Sequence, residues 1–182
     1  MSDTREFVHT IDARDVIVEV NDAWRQFACE SDAGELPERA LGAVLWDHIS
    51  DFETVYLYQA MVRIVREQGR RLKADYRCDS PRLRRFLCME IVAMPERAVR
   101  FVSRVVKIEE REAEPLLDAH AARADWLLKM CSWCRKVLVG ENDWREVEEA
   151  VRLLGFFQRE PLPAITHSMC PVCYERVMSQ LR

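Results

Sequence analysis

Apolar residues recur along this chain with two periods, and the alternation between them lays out a succession of strands and helices. DVIVEV, residues 15–20, is short and β-branched and predicts a strand. NDAWRQFACESD follows as a helix, with Asn21 as its N-cap and Trp24, Phe27 and Ala28 on one face. LGAVLWDHIS is short and mixed, a turn of helix within a loop. The span from Ser50 to Gly69 predicts the longest helix. Ser50 and Glu53 have capping-box spacing, Val55, Tyr58, Met61, Val62 and Val65 form an apolar stripe, and Gly69 suits the C-cap.

The period then changes to two. Residues 71–78, 84–94 and 98–108 read as strands, separated by the turn sequences DSPRL and PER. In the last of them Val99, Phe101 and Ser103 oppose Arg100, Val102 and Arg104. Two short connections in succession predict an antiparallel meander. EEREAEPLLDAHAARADWLL returns to a helical period, with Leu116, Leu117, His120, Ala121 and Ala124 on one face and Pro115 in the first turn. NDWREVEEAVRLLG predicts a further helix, capped by Asp143 with Glu146 three residues on, and with Trp144, Val147, Val151 and Leu154 aligned. The pattern is α+β: residues 1–110 as one domain, 111–127 as a connecting helix and 128–182 as a small C-terminal module. No internal repeat or low-complexity tract interrupts it.

Composition narrows the classes. Apolar residues make up 49% of the 182, enough to exclude wholesale disorder. The net charge of −4 is too mild for a dedicated nucleic-acid binder. No stretch has the makeup of a signal peptide or a membrane span, so the expected location is the cytoplasm. In that reducing compartment the seven cysteines point to metal or redox chemistry rather than structural disulfides.

The order of elements up to residue 110, with Asn21 and Ala23 at the end of a strand and the hairpin-like DYRCDSPRLRRFLCMEIVAM, resembles the PAS sensor fold over roughly residues 7–110. The glycine usual in the first PAS hairpin is replaced by ARD at 13–15. The resemblance implies a small cavity between sheet and helices. Its candidate wall residues are Trp24, Phe27, Trp46, Tyr56, Tyr58, Phe86 and Phe101, all of which also read as ordinary core aromatics. His48 could serve a haem, although its setting suits a surface or capping residue better. Cys29, Cys78 and Cys88 read as small buried residues. Between 63 and 85 nine basic residues, Arg77 and Arg85 among them, face only Glu67, Asp75 and Asp79. This cluster reads as a solvated face or as an anion or partner surface. The ligand-pocket candidates are thus Trp24, Trp46, Tyr58, Arg77 and Arg85.

The C-terminal third carries the sharper signal. CSWC at 131–134 and CPVC at 170–173 are two Cys-x-x-Cys turns separated by 35 residues. Each turn can present two thiolates to one ion, and two turns complete a tetrahedron, so Cys131, Cys134, Cys170 and Cys173 are the expected ligands of a structural Zn²⁺. His167 is either an alternative ligand or a hydrogen-bond partner of a ligating thiolate. The segment 128–178 also resembles a Cys-rich tail that follows PAS and related sensory domains in bacterial signalling proteins. Cys131, Trp133, Cys134, Trp144, His167, Cys170, Pro171 and Cys173 carry that likeness. Four thiolates leave no open coordination position, and the chain has no His-x-Glu before its Cys-x-x-Cys and no Gly-rich phosphate loop, so an enzyme is not expected. Two functions compete. One is a cytosolic sensor or adaptor, acting as a homodimer through its sheet or the 111–125 helix, or through a signalling partner. The other is a zinc-dependent DNA-binding transcriptional regulator.

Overall fold

The computed structural model describes residues 5–31, 33–156 and 161–182. Strands β1 (Glu6–Ile11) and β2 (Ile17–Val20) form an antiparallel hairpin. The Asp12 carboxylate closes the turn by accepting from the backbone N–H groups of Arg14 and Val16. Asp15, where the PAS likeness lacks its glycine, adopts φ 66° and starts the chain out of line, so β2 begins at Ile17 rather than at 15. Helix α1 (Asp22–Glu30) is capped as expected. Asn21 Oδ1 accepts from Trp24 N at 2.9 Å and from Val8 N at 3.1 Å, which ties the helix start to β1. After the short α2 (Leu36–Ala40) and a 3₁₀ turn at Leu45–His48 comes α3 (Phe52–Gln68).

The cap of α3 is Asp51 instead of Ser50: its carboxylate accepts from the N–H groups of Glu53 and Thr54. Glu53 is therefore not part of a capping box and is free to bond elsewhere. Gly69 ends the helix at φ 64°, a conformation that costs glycine little. The meander follows as β3 (Leu72–Arg77), β4 (Leu83–Ala93) and β5 (Val99–Glu110). The five strands form one antiparallel sheet in the order β2-β1-β5-β4-β3. Leu57, Met61 and Val65 of α3 pack against Met89, Ile91 and Phe101 on one face of the sheet.

The span predicted as a connecting helix, 111–127, is not helical. Pro115–Leu117 makes a single 3₁₀ turn, and the chain then enters β6 (Arg123–Cys131). Local propensity is overruled by pairing, because β6 lies parallel to β9 (Leu162–Ser168), with Leu128 opposite Ile165 and Met130 opposite His167. Strands β7 (Val137–Leu138) and β8 (Trp144–Arg145) complete a second sheet, ordered β8-β7-β6-β9. The helix predicted from Asp143 starts later, as α4 (Val147–Leu154), because Trp144 and Arg145 are drawn into β8. Leu116 joins Val137, Val147 and Val151 in a second core, with Leu117 and Ala121 against it. Leu116, Leu117 and Ala121 of the stripe offered to a partner are thus packed within the chain, while His120 is exposed. The final element is α5 (Pro171–Gln180).

The two sheets are bound together by charge as well as by packing. The basic cluster is not a simple solvated face. Arg77 is paired with Asp79 and, at 2.7 Å, with Glu146; Arg111 meets Glu148 at 3.0 Å and Asp79 at 3.5 Å; Arg84 meets Glu148 at 2.8 Å. Asp79 is fully buried. Acidic residues at the start of α4 and basic residues of the meander are partners across this contact. Burial alone would lower the Arg77 pKa, but its hydrogen bonds to Asp79 and Glu146 more than offset this and hold it above the usual value.

Candidate metal centre

The first Cys-x-x-Cys turn leaves the end of β6. Cys131 N donates to Lys136 O at 2.7 Å and Arg135 N to Cys131 O at 3.0 Å, with Arg135 at φ 63°, so the chain folds back sharply around the two thiols. The second turn leaves β9 and is the first turn of α5: Cys170 is its N-cap, Pro171 follows, and Cys173 N donates to Cys170 Sγ at 3.4 Å. Parallel pairing of β6 with β9 places the two turns side by side. Ser132 N donates to Ser168 O at 2.8 Å, and Cys170 N to Cys131 Sγ at 3.4 Å.

The result brings the sulfur atoms of Cys131, Cys134, Cys170 and Cys173 within 4.8 Å of one another, with Cys134 Sγ and Cys170 Sγ 3.8 Å apart. A tetrahedron with metal–sulfur bonds of about 2.3 Å has edges of about 3.8 Å. The four thiols could therefore hold a metal ion such as zinc, with only small movement. Hydrogen bonds from its neighbours, Cys134 foremost, hold the Cys131 thiol well below its ordinary pKa, and Cys131 in turn pushes Cys134 and Cys173 well up. Although Cys131 opposes it, hydrogen bonds from Cys134 and Cys173 bring the Cys170 thiol down to about 7, so two thiols ionise readily and two resist. A divalent cation removes that resistance, because it stabilises all four as thiolates. The N-terminus of α5 adds its dipole to the same end.

Among the described residues this set of four is the group of His, Cys, Asp and Glu side chains close enough to share an ion. His167 is half-buried, and its Nε2 lies 3.4 Å from Arg135 Nη1. Burial first, and then the Arg135 charge, lower its pKa. A small polar cleft of about 180 Å³ links it with His48, Asp51 and Ser132.

The four-thiol cluster is not a separate appendage. Trp133, inside the first turn, is 3% exposed and reaches into the core of the five-stranded sheet, where its ring centroid lies 5.3 Å from that of Tyr58. Its carbonyl accepts from Arg77 N at 2.8 Å, which satisfies the outer edge of β3. From the other side α3 grips both turns: Asp51 accepts from Ser132 Oγ at 3.2 Å, and Glu53 accepts from Ser168 Oγ at 3.1 Å and from Met169 N at 3.0 Å. Trp133, Asp51 and Glu53 were not singled out from sequence as coupling residues. The available signal was a tryptophan between two cysteines, since an exposed Cys-x-x-Cys turn has no need of one.

The pocket candidates do not gather around one cavity. Trp24 packs on the core from α1, and Trp46 Nε1 donates to Asp15 at 2.8 Å beside a cavity of about 120 Å³. Tyr58 lies beneath Trp133, with its OH toward Met89. Arg77 lines a different cavity of about 390 Å³, together with Tyr76, Phe86, Trp133, Cys134 and Arg176. Arg85 is buried beside Phe27. Of the other wall candidates, Phe101 is fully buried, but Tyr56 is exposed on α3. His48 is exposed, and so is Cys29, which had been expected inside; Cys78 and Cys88 are half-buried. No helix is long and apolar enough to cross a membrane. No protein-family model matches this chain, and no curated protein matches it.

Proposed function

We propose that this protein is a sensory or adaptor module in which a PAS-like domain and a structural zinc site form one mechanical unit that works by binding a partner. The observation that carries this reading is the seat of Trp133: a residue held between two metal ligands is also a core residue of the five-stranded sheet. The strand order β2-β1-β5-β4-β3, with α1 to α3 on one face, supports the PAS-like assignment. The 3.8 Å sulfur spacing supports zinc. A closed tetrathiolate shell supports a structural rather than a catalytic ion, because it leaves no position for water or substrate. The DNA-binding alternative gains no support, since Arg77, Arg84 and Arg111 are engaged by Asp79, Glu146 and Glu148 and are not free for phosphates.

Native mass spectrometry of the purified protein tests this reading directly. We expect one zinc per chain, none in Cys134→Ser or Cys170→Ser, and zinc retained in His167→Ala, with affinity about 10- to 100-fold weaker. A wild-type chain that is metal-free and fully folded through 123–180 would refute the zinc assignment. Loss of zinc from His167→Ala would make His167 a ligand.

A further inference from the structure

The four thiols are not equally placed. Cys131, Cys170 and Cys173 are buried, whereas Cys134 is half-buried. Cys134 also stands between two clefts of about 390 Å³ each. One runs toward Lys136, Trp144 and Val172, and the other toward Phe86 and Val106. Val172 and Val106 are largely exposed, so neither cleft is closed off. Cys173 borders both clefts and Cys170 the first, but each shows only 3% of its surface. A solute of a few atoms therefore meets the cluster first at Cys134.

A second sulfur waits beside it. Cys170 Sγ, from the other Cys-x-x-Cys turn, lies 3.8 Å from Cys134 Sγ. An approach of about 1.8 Å would bring the two to disulfide distance. An accessible thiolate next to a thiol that can resolve it is the arrangement of cysteines that oxidise reversibly. When the cluster holds a divalent ion, each sulfur is a thiolate and so a nucleophile.

We propose that Cys134 is a modification site for hydroperoxides, with Cys170 as the thiol that closes a disulfide and frees the ion. Ion release rests on the zinc reading above; the disulfide does not. The Cys134 thiolate attacks the outer oxygen of the peroxide. A sulfur–oxygen bond forms, the oxygen–oxygen bond breaks, and the departing oxygen takes a proton from solvent, leaving as water or an alcohol. The Cys170 thiolate then attacks the oxidised sulfur. The sulfur–sulfur bond forms, the sulfur–oxygen bond breaks, and hydroxide takes a second proton and leaves as water. The two sulfurs lose two electrons and the peroxide gains them. Only Cys131 and Cys173 then remain as ligands, half of a tetrahedral shell. Trp133 adjoins Cys134 in sequence and packs on Tyr58, so the loosened turn is felt in the core of the five-stranded sheet.

The test uses the full chain with its metal, whose zinc content is first read by native mass spectrometry. Hydrogen peroxide is added, the reaction is stopped at intervals with N-ethylmaleimide, and cysteine states are mapped by peptide mass while a chromophoric chelator follows free zinc. We expect the first disulfide to join Cys134 with Cys170 and one zinc per chain to appear at the same rate. Hydrogen exchange should then rise in the first Cys-x-x-Cys turn and in α3. Cys29→Ser, which removes the exposed cysteine outside the cluster, should change neither rate. The proposal is overturned if excess peroxide leaves the zinc bound and the four thiols reduced, if the first disulfide joins other cysteines, or if Cys29→Ser stops the reaction. A chain that lacks zinc yet forms the Cys134–Cys170 disulfide would sustain the modification site and refute the zinc assignment alone.

Discussion

Trp133→Ala should weaken the whole protein, although Trp133 lies within the first Cys-x-x-Cys turn. The indole is 3% exposed and packed on Tyr58, so its removal empties a site enclosed by the sheet and α3. Truncating a large aromatic to alanine in a core costs about 3–5 kcal/mol, and loss of the ring pair adds up to about 1.5 kcal/mol. The Trp133 carbonyl still accepts from Arg77 N in the variant, so the edge of β3 keeps its bond and the loss reports packing alone. A domain of this size commands about 5–15 kcal/mol in total, so the variant should stay folded with a much reduced margin. Urea unfolding followed by circular dichroism gives the magnitude, and hydrogen exchange gives its distribution. Exchange should rise both in peptides from β6 and β9 and in peptides from α3 and β4. Trp133→Phe should restore more than half of the loss. If exchange rises only beyond residue 123 while α3 and β4 remain as protected as in the parent, the two sheets are energetically separate and the reasoning fails.

Two further perturbations probe the rest of the interface and the sheet. Arg77→Met leaves the fully buried Asp79 with only the longer Arg111 contact and should cost about 3–5 kcal/mol in urea unfolding, whereas Arg77→Met combined with Asp79→Asn should recover much of it; equal losses in the single and double variants would argue against the network. His9, stacked on Phe101 at 4.5 Å, has its pKa lowered by burial from 6.5 to about 4. The unfolded chain therefore binds the proton first, so stability is unaffected by this group above pH 6.5 and falls as the pH drops from 6.5 toward 4, by at most about 3 kcal/mol. His9→Phe should flatten that slope in thermal melts, and an unchanged slope would exclude His9 as its source.

Much of the first sheet was legible because its signals are local: Asn21 as a cap, Gly69 as a stop, and the alternation of Val99, Phe101 and Ser103. The four thiols were legible for the same reason, since each pair lies within one turn. The failures arose where distant residues compete with local ones. Leu116 to Ala124 have a helical period, yet 123–131 gains more from parallel pairing with 162–168 than from a helix of its own. Arg77 and Arg84 read as part of a solvated face or of an anion or partner surface because their carboxylate partners, Glu146 and Glu148, are remote in sequence. Asp51 displaced Ser50 as the cap because a carboxylate one residue later reaches two N–H groups. That shift left Glu53 to hold Met169, a contact no local pattern announces.

The grip of Glu53 on Met169 spans 116 positions of sequence. Such separation has a kinetic consequence. During synthesis, α3 and the meander emerge from the ribosome well before Trp133, and Cys170, Cys173 and Val177 of the same core emerge later still. Until then the part of that core around Tyr58 lacks the Trp133 ring, and β3 keeps an open edge. At an elongation rate of about 5–20 residues per second this interval lasts several seconds. Contacts of such long range are also slow to close once the chain is free. The segment that carries Cys170, Cys173 and Val177 is therefore the last to close this core.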